Sequence, residues 1–200
     1  MLQFLQPEYL IGVAGLVGVI AIIFAESGLF FGFFFPGDSL LFTAGLFASQ
    51  GHINIWWLFF GCALAAVAGD SVGYAFGRRV GPSLFSREDS FFFHKKHAEN
   101  AKSFYEKYGA KTILLARFVP IVRTFAPIVA GVGGMTYRTF ISWNVVGGVL
   151  WTALLTFSAY FLGSAFPGTE KYLNYIVVFI IVVSLVPIAV ELIKSKRRAL

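Results

Sequence analysis

Hydrophobic residues in this chain come in long blocks separated by short polar breaks. The apolar stretches are Tyr9–Ala25, Gly28–Ser49, Ile55–Gly77, Thr112–Met135, Phe140–Gly163 and Tyr172–Leu192. Each is close to the roughly 20 residues with which an α-helix crosses a bilayer. Only one long polar segment lies among them, between Gly77 and Thr112, and it is basic: Arg78, Arg79, Arg87, Lys95, Lys96, Lys102, Lys107 and Lys111 stand against Glu88, Asp89, Glu99 and Glu106. The tail, Lys194 to Arg198, is basic as well. Lys and Arg collect on the cytoplasmic side of membrane proteins, so both segments are expected there.

Two segments on one side require an even number of crossings between them, yet three apolar stretches intervene. Thr112–Met135 is the stretch least suited to cross. It holds Arg117, Pro120, Arg123 and Pro127 before Gly131, Gly133 and Gly134. Prolines interrupt the helical hydrogen-bond ladder, and arginines at bilayer depth are costly. The stretch therefore reads as a re-entrant hairpin from the cytoplasmic side, with irregular backbone shielded by protein. Gly28–Ser49 has the same character: Pro36-Gly37-Asp38 interrupts it, and Asp38 can cap a second arm starting at Ser39. The predicted fold is an all-α polytopic membrane protein, with four crossing helices, two opposed re-entrant hairpins and both termini cytoplasmic. The N-terminus lacks the basic start of a cleaved signal peptide, so the first stretch is taken as a retained span. Residues 90–108 place Phe91–Phe93, Ala98, Ala101, Phe104, Tyr105 and Tyr108 on one side of a helix and Lys and Glu on the other. That predicts an amphipathic helix at the membrane interface.

An internal repeat supports this plan. An offset of 86 positions aligns Ala44 with Ala130, Gly45 with Gly131, Trp57 with Trp143, Gly61 with Gly147, Tyr74 with Tyr160 and Gly77 with Gly163. The chain then divides into a first repeat over about 26–77, a cytoplasmic segment over 78–111, a second repeat over about 112–163 and a C-terminal span over 172–193, all one membrane domain. Inverted repeats with broken helices are a transporter architecture. Gly61, Ala65, Gly69, Gly73 and Gly77 of the first repeat, and then Gly81 beyond it, recur every four residues, a stripe suited to close helix packing.

Composition agrees with the pattern. Of 200 residues, 58% are hydrophobic and 13% charged, against about 45–50% and about 25% in soluble domains. A soluble globular domain and a disordered chain are both excluded. The net charge of +6 is assigned to membrane orientation, and no nucleic-acid partner is expected. Cys62 is the sole cysteine, so no disulfide forms within the chain. His94 and His97 lack further ligands nearby and read as surface residues; no metal or cofactor is expected.

The candidate chemistry lies in ionisable residues within or beside the apolar blocks: Glu26, Asp38, Asp70, Arg117 and Arg123. Such residues are functional hypotheses by default. Opposed hairpins would bring the acids Glu26 and Asp38 toward Arg117 and Arg123. The planar guanidinium fork matches phosphate, and protonation of a paired carboxylate would release it. Asp70 reads as a supporting residue that caps or hydrogen-bonds within the glycine stripe.

Glu26-Ser27, Pro36-Gly37-Asp38, Gly69-Asp70-xx-Gly73-Tyr74 and above all Ala116-Arg117-Phe118-Val119-Pro120-xx-Arg123-Thr124-Phe125 with Ala130-Gly131 resemble the DedA membrane proteins, which carry the VTT, or SNARE-associated, domain. Met135, Phe140, Asn144, Gly147 and Trp151 continue the match, which runs from about Glu26 to Gly163. The resemblance implies four crossing helices with two re-entrant hairpins, and lipid translocation in the cell membrane. In bacterial members the cargo is undecaprenyl phosphate, with coupling to the proton gradient, whereas eukaryotic relatives scramble phospholipids. It assigns Arg117 and Arg123 as essential arginines and Glu26 and Asp38 as the acidic pair, with Pro36, Gly37, Asp70, Pro120 and Gly131 in support. The expected partners are an anionic lipid headgroup and protons, with a homo-oligomer left open. A phospholipid scramblase, a proton-coupled small-molecule exporter and, last, a lipid phosphatase are the alternatives; no enzymatic activity is expected.

Overall fold

The computed structural model describes residues 7–28, 37–86, 103–105 and 107–165. Pro36, the first arm of the first expected hairpin, His94, His97, most of the amphipathic segment and the C-terminal span over 172–193 lie outside the described residues. The described elements are α1 (Pro7–Gly28), α2 (Gly37–Ser49), α3 (Ile55–Ser86), α4 (Thr112–Ala116), α5 (Pro120–Val132) and α6 (Tyr137–Ala165), and every one is helical. Among the described residues, two helices are long and apolar enough to cross a membrane, Ile55–Gly81 within α3 and Tyr137–Ala165.

These long helices turn large apolar side chains outward. Trp57 is 70% exposed and Leu64 71%, with Phe60, Phe76, Leu150, Leu154 and Phe161 also on the outside. Water would penalise such a surface at roughly 25 cal/mol per Å²; hydrocarbon does not. Many of the inward positions are instead small or polar, among them Cys62, Ala66, Asp70, Asn144, Thr152 and Thr156, as expected where lipid supplies no hydrophobic drive and helices associate by close packing.

By its internal packing the chain forms two compact units. The first takes residues through Val19, Phe34–Phe59 and Ala153 onward; the second takes Ile20–Phe33 and Phe60–Thr152. In the first unit, α2 lies so close to the second half of α6 that a Cβ on Gly45 would stand 2.7 Å from the Thr156 carbonyl and 2.8 Å from Ala159 Cβ. Phe157 packs against Trp56 and Phe59 at 5.6 and 5.2 Å between ring centres. In the second unit, the glycine stripe of α3 is shared between two partners. Gly69 meets Phe24, Ser27 and Gly28 of α1, while Gly77 and Gly81 meet the α5 backbone at Ile128 and Val132. The packing role expected for the stripe is what these contacts describe.

Two expectations are corrected here. The polar segment expected from residue 78 begins inside a helix, because α3 continues to Ser86. Gly81, packed on α5, extends the stripe past Gly77, so the helix has no reason to stop there. Pro127, expected to break the ladder, is carried inside α5. It lacks the N–H that would meet the Arg123 carbonyl one turn earlier, a loss the helix survives. The break occurs at Pro120 alone. Val119 is extended, as a residue before proline is driven to be, and Pro120 starts α5, where its missing N–H costs nothing.

A buried cluster of Tyr74, Ile113, Ala116, Ala126, Ala130 and Phe140 joins α3, α4, α5 and α6 within the second unit. The Tyr74 ring stacks on Phe140 at 4.6 Å, and its hydroxyl donates to the Met135 carbonyl. Tyr105, in the helical turn before α4, donates to the Ala126 carbonyl at 2.9 Å.

Candidate functional site

The Pro120 break separates two arginines that a continuous helix would hold apart along its length. Arg117 closes α4, and Arg123 sits in the first turn of α5, its N–H donating to the Val119 carbonyl at 2.9 Å. Both side chains turn into the second unit, where carboxylates meet them. Arg117 Nη2 donates to Asp70 Oδ2, and Arg123 Nη2 donates to Glu26 Oε1. Asp70 stands midway along α3, and Glu26 in the last turn of α1. A carboxylate near a helix C-terminus is disfavoured by the macrodipole, and Arg123 offsets this.

Glu26, Asp70 and Arg117 are each 4–6% exposed. Burial of this depth makes each pair conditional on its partner. Removing one member of a buried ion pair costs about 3–5 kcal/mol, since the other is left charged and dry. Trp151 of α6, itself buried, faces both guanidinium groups, with its ring centre 5.1 Å from Arg123 Cζ and 6.0 Å from Arg117 Cζ. Rings at this range attract cations through their quadrupole. With Ser27 and Thr124, these side chains line a cleft with about 290 Å³ of empty space counted out to its mouth. The gaps between the charged groups are water-sized. As they stand, Asp70 and Glu26 each occupy one guanidinium nitrogen of their arginine.

Asn144 adds a neutral contact. It is fully buried, accepts from Arg117 Nη2 at 2.6 Å and donates through Nδ2 to the Val67 carbonyl at 3.0 Å. Gly147 and Gly148 make room for the Arg117 side chain, with a Cβ on Gly148 falling 3.3 Å from Nη1. Phe140, Asn144, Gly147 and Trp151 thus share one face of α6, spaced by alternating fours and threes as helical geometry requires.

Of the residues singled out by sequence, Glu26, Arg117 and Arg123 meet in this cleft. Asp70 joins them, and this corrects its reading as a cap or stripe residue: its carboxylate serves Arg117. Asp38 belongs to the first unit, half-buried in the first turn of α2, which the buried Gly37 opens. Pro120 makes the break, and Gly131 lets α5 approach the backbone of Tyr74 and Arg78 on α3. Asn144 and Trp151 were noticed in sequence only as part of a family pattern. The signal for Asn144 was a lone amide amid Val and Gly on a helix of spanning length.

A family model for the VTT domain matches residues 35–161. The chain is 47% identical over 180 residues to Protein DedA of Escherichia coli, covering 89% of this chain and 82% of that one. Over 181 residues it is 45% identical to an uncharacterized membrane protein of Mycobacterium leprae, covering 90% and 81%. Over 199 residues it is 45% identical to an uncharacterized membrane protein of Mycobacterium tuberculosis, covering 96% and 87%. No solved structure matches. With a domain match across more than half its length and relatives aligned along most of theirs, the chain belongs to the DedA family of VTT-domain membrane proteins.

Proposed function

We propose that the protein carries an anionic lipid headgroup between leaflets of the cell membrane, with Arg117 and Arg123 as ligands of its phosphate and undecaprenyl phosphate as the foremost cargo. One observation carries this reading: two guanidinium–carboxylate pairs converge on one tryptophan among helices rich in apolar and small residues. Charges in such surroundings are costly to maintain. Two arginines held beside a common ring, each offering a planar fork, match the oxygens of one phosphate.

Glu26 and Asp70 give the site a switch. With all four groups ionised the charges cancel, so a phosphate enters only by replacing a carboxylate on its arginine. A proton taken up by that carboxylate keeps the balance and stabilises the exchanged state. Proton binding and lipid binding then favour each other, which is the requirement for coupling to a proton gradient. Asp38 is a second proton-carrying group in this proposal, acting from the first unit. The proposed frame has four crossings, two re-entrant hairpins of opposite orientation and both termini cytoplasmic. The protein acts as a carrier, not an enzyme.

Translocation of a labelled polyprenyl phosphate in proteoliposomes tests the site. Arg117→Lys and Arg123→Lys are expected to lose nearly as much activity as the alanine variants, on the order of a hundredfold, because an ammonium lacks the bidentate fork. Normal transport by both lysine variants would reduce the arginines to charge balance. Phosphate released from the lipid would overturn the carrier reading. For the frame, a cysteine at Ser164 is expected to react with an impermeant thiol reagent from outside intact cells, and one at Ser103 to stay protected. The same accessibility at both positions would defeat the topology.

A further inference from the structure

We infer that Asn144 is a positioning residue for Arg117, the neutral partner that keeps its guanidinium in place, and still positively charged, while its carboxylate partner exchanges for phosphate; this rests on the function proposed above. The hydrogen bonds run one way only. A guanidinium donates and a backbone carbonyl accepts, so the amide's oxygen must face Arg117 and its nitrogen Val67, as found at 2.6 and 3.0 Å. The Val67 carbonyl also accepts from Ser71 Oγ at 2.8 Å, and the Tyr137 hydroxyl reaches Ser71 Oγ at 3.4 Å. Arg117 is therefore tied to both α3 and α6 by a route that does not pass through Asp70.

The chemistry requires an amide here. The charged groups facing the cleft are Glu26 from α1, Asp70 from α3, Arg117 from the end of α4 and Arg123 from α5. A carboxylate at position 144 would neutralise Arg117 a second time and outcompete an incoming anion. An amide oxygen accepts the same bond and leaves the charge available. When Asp70 gives way, Asn144 and the Gly147–Gly148 surface still define where the guanidinium lies.

The test uses the full-length protein in phosphatidylcholine vesicles carrying a minor share of phosphatidic acid. Headgroup movement between leaflets is followed from about pH 5 to about pH 8, the range in which buried carboxylates titrate. Asn144→Ala is expected to slow movement roughly tenfold at every pH with the profile's shape unchanged, the effect of losing one charge-assisted hydrogen bond. Asn144→Asp should move lipid only when the added acid is protonated, shifting the maximum about one pH unit or more toward acid. Phenylglyoxal labelling of Arg117, read by peptide mass spectrometry, supplies a measure independent of transport and should quicken about tenfold in Asn144→Ala as the anchored guanidinium is freed. Arg117→Ala separates the two layers of the reasoning. If it moves lipid as the wild type does, the phosphate reading fails, and the labelling rates alone judge Asn144. Equal labelling in wild type and Asn144→Ala overturns the positioning role. So does a folded Asn144→Asp with the wild-type pH profile, or failure of every variant at this position to fold.

Discussion

In the first unit Gly45 lets α2 close onto α6 beside Thr156, and Gly163 meets Leu46 and Ser49 of α2. In the second, Gly131 lets α5 close onto α3 beside Tyr74, and Gly77 meets Ile128 of α5. These are the glycines that the offset of 86 aligns, Gly45 with Gly131 and Gly77 with Gly163, and each pair does the same mechanical work. What fills the two seams differs. The same offset sets Thr156 against Asp70. The first unit buries hydroxyls, at Thr43 and Thr156, whereas the second holds two ion pairs beside its seam, Arg117 with Asp70 and Arg123 with Glu26. Close approach of a short helix to a long one is therefore a general frame in this protein. Chemistry comes from placing charge in one copy of it.

Removing charge should separate the two units most sharply. Asp70→Asn leaves Arg117 charged, buried and without its counter-ion, so a loss of about 3–5 kcal/mol in stability is expected. The double variant Asp70→Asn/Arg117→Gln should recover most of that stability and none of the transport. In the first unit, Thr156→Val should cost only about 1–3 kcal/mol, the scale of a buried hydroxyl. Asp38→Asn keeps a hydrogen-bonding side chain in the first turn of α2; it should fold and bind lipid but lose its response to an imposed pH gradient. Thermal unfolding in detergent gives the stabilities, and gradient-driven translocation in proteoliposomes gives the rest. Additive losses in the double variant would mean that Asp70 and Arg117 do not act as a pair.

The glycines come next. A Cβ at Gly131 would run into the Tyr74 carbonyl and the Arg78 backbone, and one at Gly45 into the Thr156 carbonyl. Alanine at either position should cost about 1–3 kcal/mol through overpacking. Only Gly131→Ala displaces the helix carrying Arg123, so it alone should lower transport beyond what its loss of folded protein explains. Equal transport per folded molecule in the two variants would make the second seam as inert as the first.

Much of the second unit was legible in the chain. Two arginines around Val119-Pro120 predicted a broken helix with its cations turned inward, because proline dictates the break and lipid forbids the charge any other place. The four-residue spacing of glycines from Gly61 predicted a packed face on α3. The partner of Arg117 was not legible, since Asp70 lies 47 positions away and no periodicity links residues on separate helices. The sequence offered three acids, Glu26, Asp38 and Asp70, for two arginines, and the expectation fell on Glu26 and Asp38; what favours Asp70 is that an aspartate midway along a helix of spanning length has nowhere to escape to water. Pro127 misled for a related reason. Its sequence reads as a stop, but packing of α5 against α3 outweighs one missing backbone bond.

The smallest expected effect concerns how the second unit fastens its arm. Tyr105 precedes α4, yet its hydroxyl donates to the Ala126 carbonyl at 2.9 Å in the middle of α5, and its ring packs against the cluster around Tyr74 and Phe140. Tyr105→Phe removes that bond and keeps the ring, so about 1 kcal/mol of stability should be lost, with lipid movement per folded molecule unchanged. The phenol also marks the bond by pH. Burial pushes the Tyr105 pKa above its ordinary value, because ionising it would place an anion away from water. In the unfolded chain the same group ionises near pH 10. Its contribution is thus complete below about pH 10 and falls as pH rises further, since the unfolded state releases its proton first. The gap between wild type and Tyr105→Phe should therefore narrow in alkaline solution, measured as the difference in unfolding midpoint at neutral pH and above about pH 10. A gap that stays constant would mean that the hydroxyl is not held as the geometry has it, and that α5 depends on its glycine contacts with α3 alone.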